Sequence, residues 1–140
     1  MEFLTIYFKH PACDICFNEK LNAVQTKWKG LFVQGDEFRL VLDKIIELLA
    51  KKKVHIIIAD AREMKVISSQ DQQWILDSWY PRALAAGFSF EGLIVSKNTF
   101  NEHSIKKIVH NYDDKKVETV YFFSYEEAED WIKNNIALKE

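Results

Sequence analysis

A chain of 140 residues with 48% apolar and 14% aromatic side chains has the size and composition of one folded domain, spanning 1–140, and excludes a disordered or low-complexity chain. Its 21 acidic and 19 basic residues leave a formal charge of -2 spread along the sequence, so no long-range field draws in nucleic acid or an anionic membrane surface. No run approaches the roughly 20 apolar residues that span a bilayer, the start Met1-Glu2-Phe3-Leu4 carries no cationic leader, and two cysteines are too few for a disulfide framework; a cytoplasmic protein is expected.

In chain order, Leu4 to Phe8 and Cys13 to Phe17 are short apolar stretches parted by His10-Pro11. After a polar Asn18-Glu19-Lys20 turn, Val24, Thr26 and Trp28 alternate with polar neighbours. These segments predict an N-terminal antiparallel pair. Gly35-Asp36 opens a helix with Phe38, Val41, Leu42, Ile45, Leu48 and Leu49 on one face, closed by Lys51, Lys52 and Lys53, whose cations suit the negative end of the helix dipole. Val54 to Asp60 is β-branched and apolar on both faces, the pattern of a central parallel strand.

Ser68 or Ser69 then caps a helix that runs to about Ala86, with Gln72 three residues after Ser69 at capping-box spacing. Pro81 lies inside it, where its ring meets the carbonyl of Asp77, so a kink or two abutting helices are expected before the stop at Gly87. Leu93 to Val95 form a strand. A helix follows with Ile105, Ile108, Val109 and Tyr112 on one face, ended by the charged turn Asp113-Asp114-Lys115-Lys116. Val117 to Phe123 is the last strand, and Ser124 with Glu127 forms a capping box before Ala128, Trp131 and Ile132.

The order is β-β-β-α-β-α-β-α-β-α. It predicts an α/β fold: a mixed, mostly parallel five- to six-stranded sheet with right-handed crossovers, flanked by about four helices and opened by an antiparallel hairpin. The order of the strands across the sheet does not follow from the sequence.

Chemistry-bearing motifs are sparse. Cys13-Asp14-Ile15-Cys16 has the spacing of a thiol-disulfide pair, and Phe17, Leu21, Val24 and Trp28 can be placed on the helix that lowers such a thiol's pKa. The alternation from Val24 to Trp28 favours a strand instead, and Pro11 and Pro81 are the only prolines. His10, His55, His103 and His110 show no helical i, i+4 spacing and there is no second cysteine pair, so neither a metal nor another cofactor is expected. No nucleophile elbow, phosphate loop or metalloprotease helix is present, so no enzyme is indicated.

The densest segment is A-D-A-R-E-M-K-V-I-S-S-Q-D-Q-Q-W-I-L-D-S-W-Y-P-R-A-L-A-A-G, Ala59 to Gly87. It places Asp60, Arg62, Lys65, Ser68, Ser69 and Asp71 at the carboxyl end of the central strand and the start of the next helix, the edge where open α/β sheets receive ligands. A salt-bridged loop with capping serines has the same composition. Trp74, Trp79 and Tyr80 beside it are either anchors for a partner protein or core.

The blocks A-D-A-R-E-M-K-V-I-S, D-Q-Q-W and W-Y-P-R-A, with the upstream W-K-G at Trp28 to Gly30, resemble small bacterial members of the STAS-like group. That group is related to the anti-sigma factor antagonists and shares its β-α fold with the CRAL-TRIO lipid carriers. The resemblance runs from about Cys13 to Trp131 and elsewhere is one of element order. In the antagonists a strand ends in aspartate, and some nine residues later a helix begins Asp-Ser-Ser-Gly with a phosphorylatable serine. Asp60 and Ser69 keep that spacing, while Ser68 replaces the aspartate and Gln70-Asp71 the Ser-Gly.

The resemblance implies a non-enzymatic domain that binds another protein through the surface from Asp60 to Trp79, compatible with a homodimer. A carrier of a small apolar, lipid-like ligand is the second reading, drawn from the fold relationship and from Phe88, Phe90 and Phe100. Thiol redox chemistry through Cys13 and Cys16 is the third.

Overall fold

A computed structural model of the chain describes residues 1–96, 102–112 and 116–136. Phe100 and the turn residues 113–115 lie outside them. The strands are β1 (Leu4–His10), β2 (Cys13–Asn18), β3 (Ala23–Trp28), β4 (Ile56–Asp60), β5 (Phe90–Ile94) and β6 (Glu118–Phe122). They form one sheet in the order β1-β2-β3-β4-β5-β6. The first two pairings are antiparallel and the other three parallel, which gives the expected α/β architecture. The short polar turn after β2 allows direct return, whereas each parallel step needs a helical crossover.

Because β3 to β6 advance across the sheet in chain order, crossovers of one hand carry every intervening helix to the same face. That face holds α1 (Asp36–Lys52), α2 (Ser69–Trp74), α3 (Tyr80–Ala85) and α4 (Glu102–His110). Ile57, Ala59 and Leu93 point into it, packed with Phe38, Val41 and Ile45 of α1 and Ile105 and Ile108 of α4. The final helix α5 (Tyr125–Asn135) takes the other face, where Ala128 and Ile132 meet Ile56, Ile58, Phe90 and Phe122. β4 is therefore covered on both sides and all five of its residues are buried, as its continuous apolar run predicts.

Local chemistry sets the helix ends. Gly35, at φ 64°, is the N-cap of α1, a backbone conformation that favours glycine. Lys53 closes α1 in the left-handed conformation, its N–H bonded to the Leu49 carbonyl. The six apolar residues predicted for the α1 stripe are the six that it buries, each stabilising the fold by roughly 1.5–3 kcal/mol.

Between α2 and α3, Ile75–Trp79 form one π-helical turn, with the Tyr80 N–H bonded to the Ile75 carbonyl. The widened turn ends at Trp79, two residues before Pro81, which has no N–H to offer, and helical backbone runs through it without a break. Gly87 ends the segment at φ 106°.

Candidate functional site

The predicted rim is in place at the carboxyl end of β4, and most of its polar groups are occupied with one another. Asp60 accepts from Arg62 Nε at 3.0 Å and Nη2 at 2.8 Å, and from the Arg62 backbone N–H at 3.2 Å. Lys27 Nζ stands 3.8 Å away. Burial works to raise the Asp60 carboxyl, but the Arg62 hydrogen bonds and charge outweigh it and hold the group below the ordinary carboxylate range.

Ser68, not Ser69, is the cap of α2: its Oγ accepts from the Asp71 N–H at 3.1 Å. The capping box expected for Ser69 and Gln72 does not form: Ser68 takes the cap, and Gln72 Nε2 donates to the Ile67 carbonyl at 2.7 Å. Asp71 is buried, and its carboxylate accepts from Gly35 N at 2.9 Å and Arg39 Nε at 3.3 Å. It thus caps α1 from another element, which has no side-chain cap of its own.

Trp79 is core: it is buried and its Nε1 donates to the Leu42 carbonyl at 2.7 Å. Trp74 is half-buried, with the guanidinium groups of Arg39 and Arg82 within 5.2 and 5.6 Å of its ring centre. Lys65 and Ser69 are exposed. Ser69 edges a polar cleft of about 430 Å³ between α2 and α4, shared with Gln72, Gln73, Lys107 and Asn111.

The two thiols do not form a redox site. Both lie on β2 and neither starts a helix; three residues apart on a strand, their side chains leave opposite faces. Cys13 is fully buried, and burial followed by the Asp14 charge pushes its thiol far up. Burial, again followed by Asp14, raises Cys16 as well. A thiol-disulfide centre needs the reverse. Among the described residues, no three of His, Cys, Asp and Glu converge on one point.

A second space lies one layer deeper. Between the sheet and its three-crossover face is a cavity of about 80 Å³. The rim segment walls it with apolar residues, namely Ala61, Met64, Ile67, Ile75 and Trp79, while its polar residues face elsewhere. Trp28, Phe38, Ile57, Leu93 and Ile108 complete much of the apolar surface.

Into this space β5 delivers Glu91. Phe90 and Ile94 belong to the α5 face, so period two turns Glu91 and Leu93 toward the cavity. Glu91 is buried, and its Oε1 has no hydrogen-bond partner. Its side-chain partner among the described residues is Tyr112, held by a stack on Tyr80 with ring centres 4.1 Å apart and planes 5° from parallel. Tyr80, directly before Pro81, thus backs Tyr112 where it bonds the carboxyl. Burial pushes Glu91 up to about 7, against the opposing Tyr112 hydrogen bond. Thr26 Oγ1, on the same wall, is also buried without a partner.

Glu91 and Tyr112 were not among the residues predicted for a site. The signal was there: in Phe90-Glu91-Gly92-Leu93-Ile94 the alternation puts an acid on the same face as Leu93. No family model, curated protein or solved structure matches this chain. No helix among the described residues is long and apolar enough to cross a membrane.

Proposed function

We propose that the chain is a non-enzymatic, STAS-like domain that holds a small, largely apolar ligand in the cavity beneath β4 and β5. One observation carries this reading: a buried carboxyl oxygen, Glu91 Oε1, faces an apolar cavity with no protein group to satisfy it. Buried polar atoms are nearly always paired, and an orphan at a cavity wall is an arrangement that a ligand's polar group or a bound water completes. The size narrows the ligand. Sites for drug-sized molecules run to roughly 300–1,000 Å³, so about 80 Å³ admits a compact molecule and not an extended lipid. A cytoplasmic setting belongs to the same proposal, in keeping with two free cysteines.

Ligand-observed NMR with a library of small fragments tests it, comparing the parent with Ala59→Met, which fills the cavity from β4. Fragments that bind the parent and lose binding to the folded Ala59→Met protein support the reading. Equal binding to both defeats it.

Protein docking at the rim is the second reading, favoured by exposed Val66 beside exposed Lys65 and by exposed Leu31 and Phe32 in the neighbouring β3–α1 loop. Since β3 and β4 run parallel, both loops emerge at the same end of the sheet.

A further inference from the structure

We propose that the ligand is a small alkylammonium ion, its N–H on Glu91 Oε1 and its carbon groups against Trp28, Phe38 and Trp79. This rests on the cavity being a ligand site and adds the charge and class of what fills it.

Three observations lead to a cation. Among the described residues, what acts on Glu91 is its burial and the Tyr112 hydroxyl, and no basic side chain. The elements packed around it present Ile57 from β4 and Thr119 from β6 as its register partners, Thr26 from β3 and Tyr112 after α4. Tyr80 and Tyr121 act on Tyr112 in turn. Among the described residues, the carboxyl therefore has hydroxyls near it and no basic side chain acting on it.

The walls are aromatic. Trp28 and Phe38 lie with ring centres 5.7 Å apart, and Trp79 and Tyr112 also line the space. Aromatic faces attract ammonium groups, most strongly where water is excluded. An anionic ligand meets a carboxylate at close range, and a neutral hydrocarbon leaves Oε1 unpaired. An ammonium satisfies the oxygen and cancels the charge at once.

Size sets the upper limit. An apolar cavity of roughly 150 Å³ accommodates benzene; at about 80 Å³ this one suits a molecule smaller than benzene, such as a di- or trimethylated amine.

The probes are trimethylammonium chloride, tert-butanol as a neutral body of similar shape, and acetate, each titrated by saturation-transfer NMR into the parent, Glu91→Gln and Ala59→Met proteins. Binding of trimethylammonium at pH 8 is expected. Its affinity should fall about tenfold or more in Glu91→Gln, and by a similar factor in the parent at pH 5.5, where the carboxyl takes up a proton. Circular dichroism confirms that each variant is folded, and Gln removes a buried charge without changing shape. If tert-butanol binds as tightly as trimethylammonium, or Glu91→Gln binds the amine undiminished, the ammonium assignment is overturned while the ligand cavity stands. If no probe binds the parent, the ammonium assignment is overturned; if the fragment library is also blind to cavity filling, the ligand reading falls with it.

Discussion

Glu91→Gln tests whether the Glu91 carboxyl is held where its neutral form is favoured, because only the ionisable residue makes stability depend on pH through this site. In the folded protein Glu91 ionises at about 7, against an ordinary 4.5, so between those values the unfolded chain has released a proton that the native state keeps. The native state binds more protons in this window, and stability contributed by the group falls as pH rises. The contribution is whole below about pH 4.5 and is lost by the time pH passes 7. At about 1.4 kcal/mol for each pH unit of displacement, the loss is roughly 3 kcal/mol. Gln cannot ionise and escapes it. Urea unfolding of both proteins should therefore give nearly equal stabilities at pH 4.5 and a Gln variant more stable by about 2–3 kcal/mol at pH 8, with the same m-value. Carboxylates such as Asp60, whose ionised form the fold favours, change stability in the opposite sense as pH falls, but they are common to both proteins and cancel in the difference. A difference that stays constant from pH 4.5 to 8 would show that Glu91 is not held in a protonating environment, and the argument from its burial would fail.

Asp71→Ala leaves the Gly35 N–H without its acceptor and frees Arg39. A loss of about 2–3 kcal/mol in chemical denaturation is expected, part of it regained in Asp71→Asn, whose amide oxygen still accepts; a shift below about 0.5 kcal/mol would show that the α1 cap lies elsewhere. The thiols should react at very different rates: at pH 8, Cys16 is expected to be modified slowly by iodoacetamide in the native protein and Cys13 only after denaturant is added. Rapid native alkylation of Cys13, or an intramolecular disulfide on mild oxidation, would contradict their placement on opposite faces of β2.

The elements that the sequence reveals are those whose pattern is local. Val54 to Asp60 reads as central because β-branched residues occupy both faces, and the α1 stripe because its spacing repeats over about three turns. Strand order and the choice of face for α5 depend on pairings between distant residues, which no local window contains. The sequence pattern marks β5 only from Leu93 onward, two residues short of Glu91, because glutamate and glycine are poor strand formers; the sheet overrides that preference by pairing Glu91 with Ile57 and Thr119. Ser68 and Ser69 are adjacent with acceptor side chains at matching offsets, so only the path of the chain decides between them. The segment from Asp60 to Trp79 was singled out for its polar residues, and its apolar residues are the ones that wall the cavity.

The distribution of satisfied and unsatisfied polar groups argues that this cavity is more than a packing defect. On the α5 face, Asn18 is fully buried, yet it donates to Gln25 Oε1 at 2.8 Å and to the Tyr125 hydroxyl at 3.0 Å, and accepts from Leu21 N at 3.0 Å. Asp60 and Asp71 are likewise met from several directions. Asp14 has Lys29 Nζ at 2.8 Å. The remaining orphans among the described residues are Thr26 Oγ1, Glu91 Oε1 and Thr119 Oγ1; the first two line the cavity, and the third sits on the strand position paired with Glu91. A fold that satisfies its buried polar atoms elsewhere and breaks the rule around a single space carries the cost where a ligand can remove it. Replacing Glu91 by an apolar residue would relieve that cost without a ligand, so an acid at this position makes physical sense if something enters to meet it.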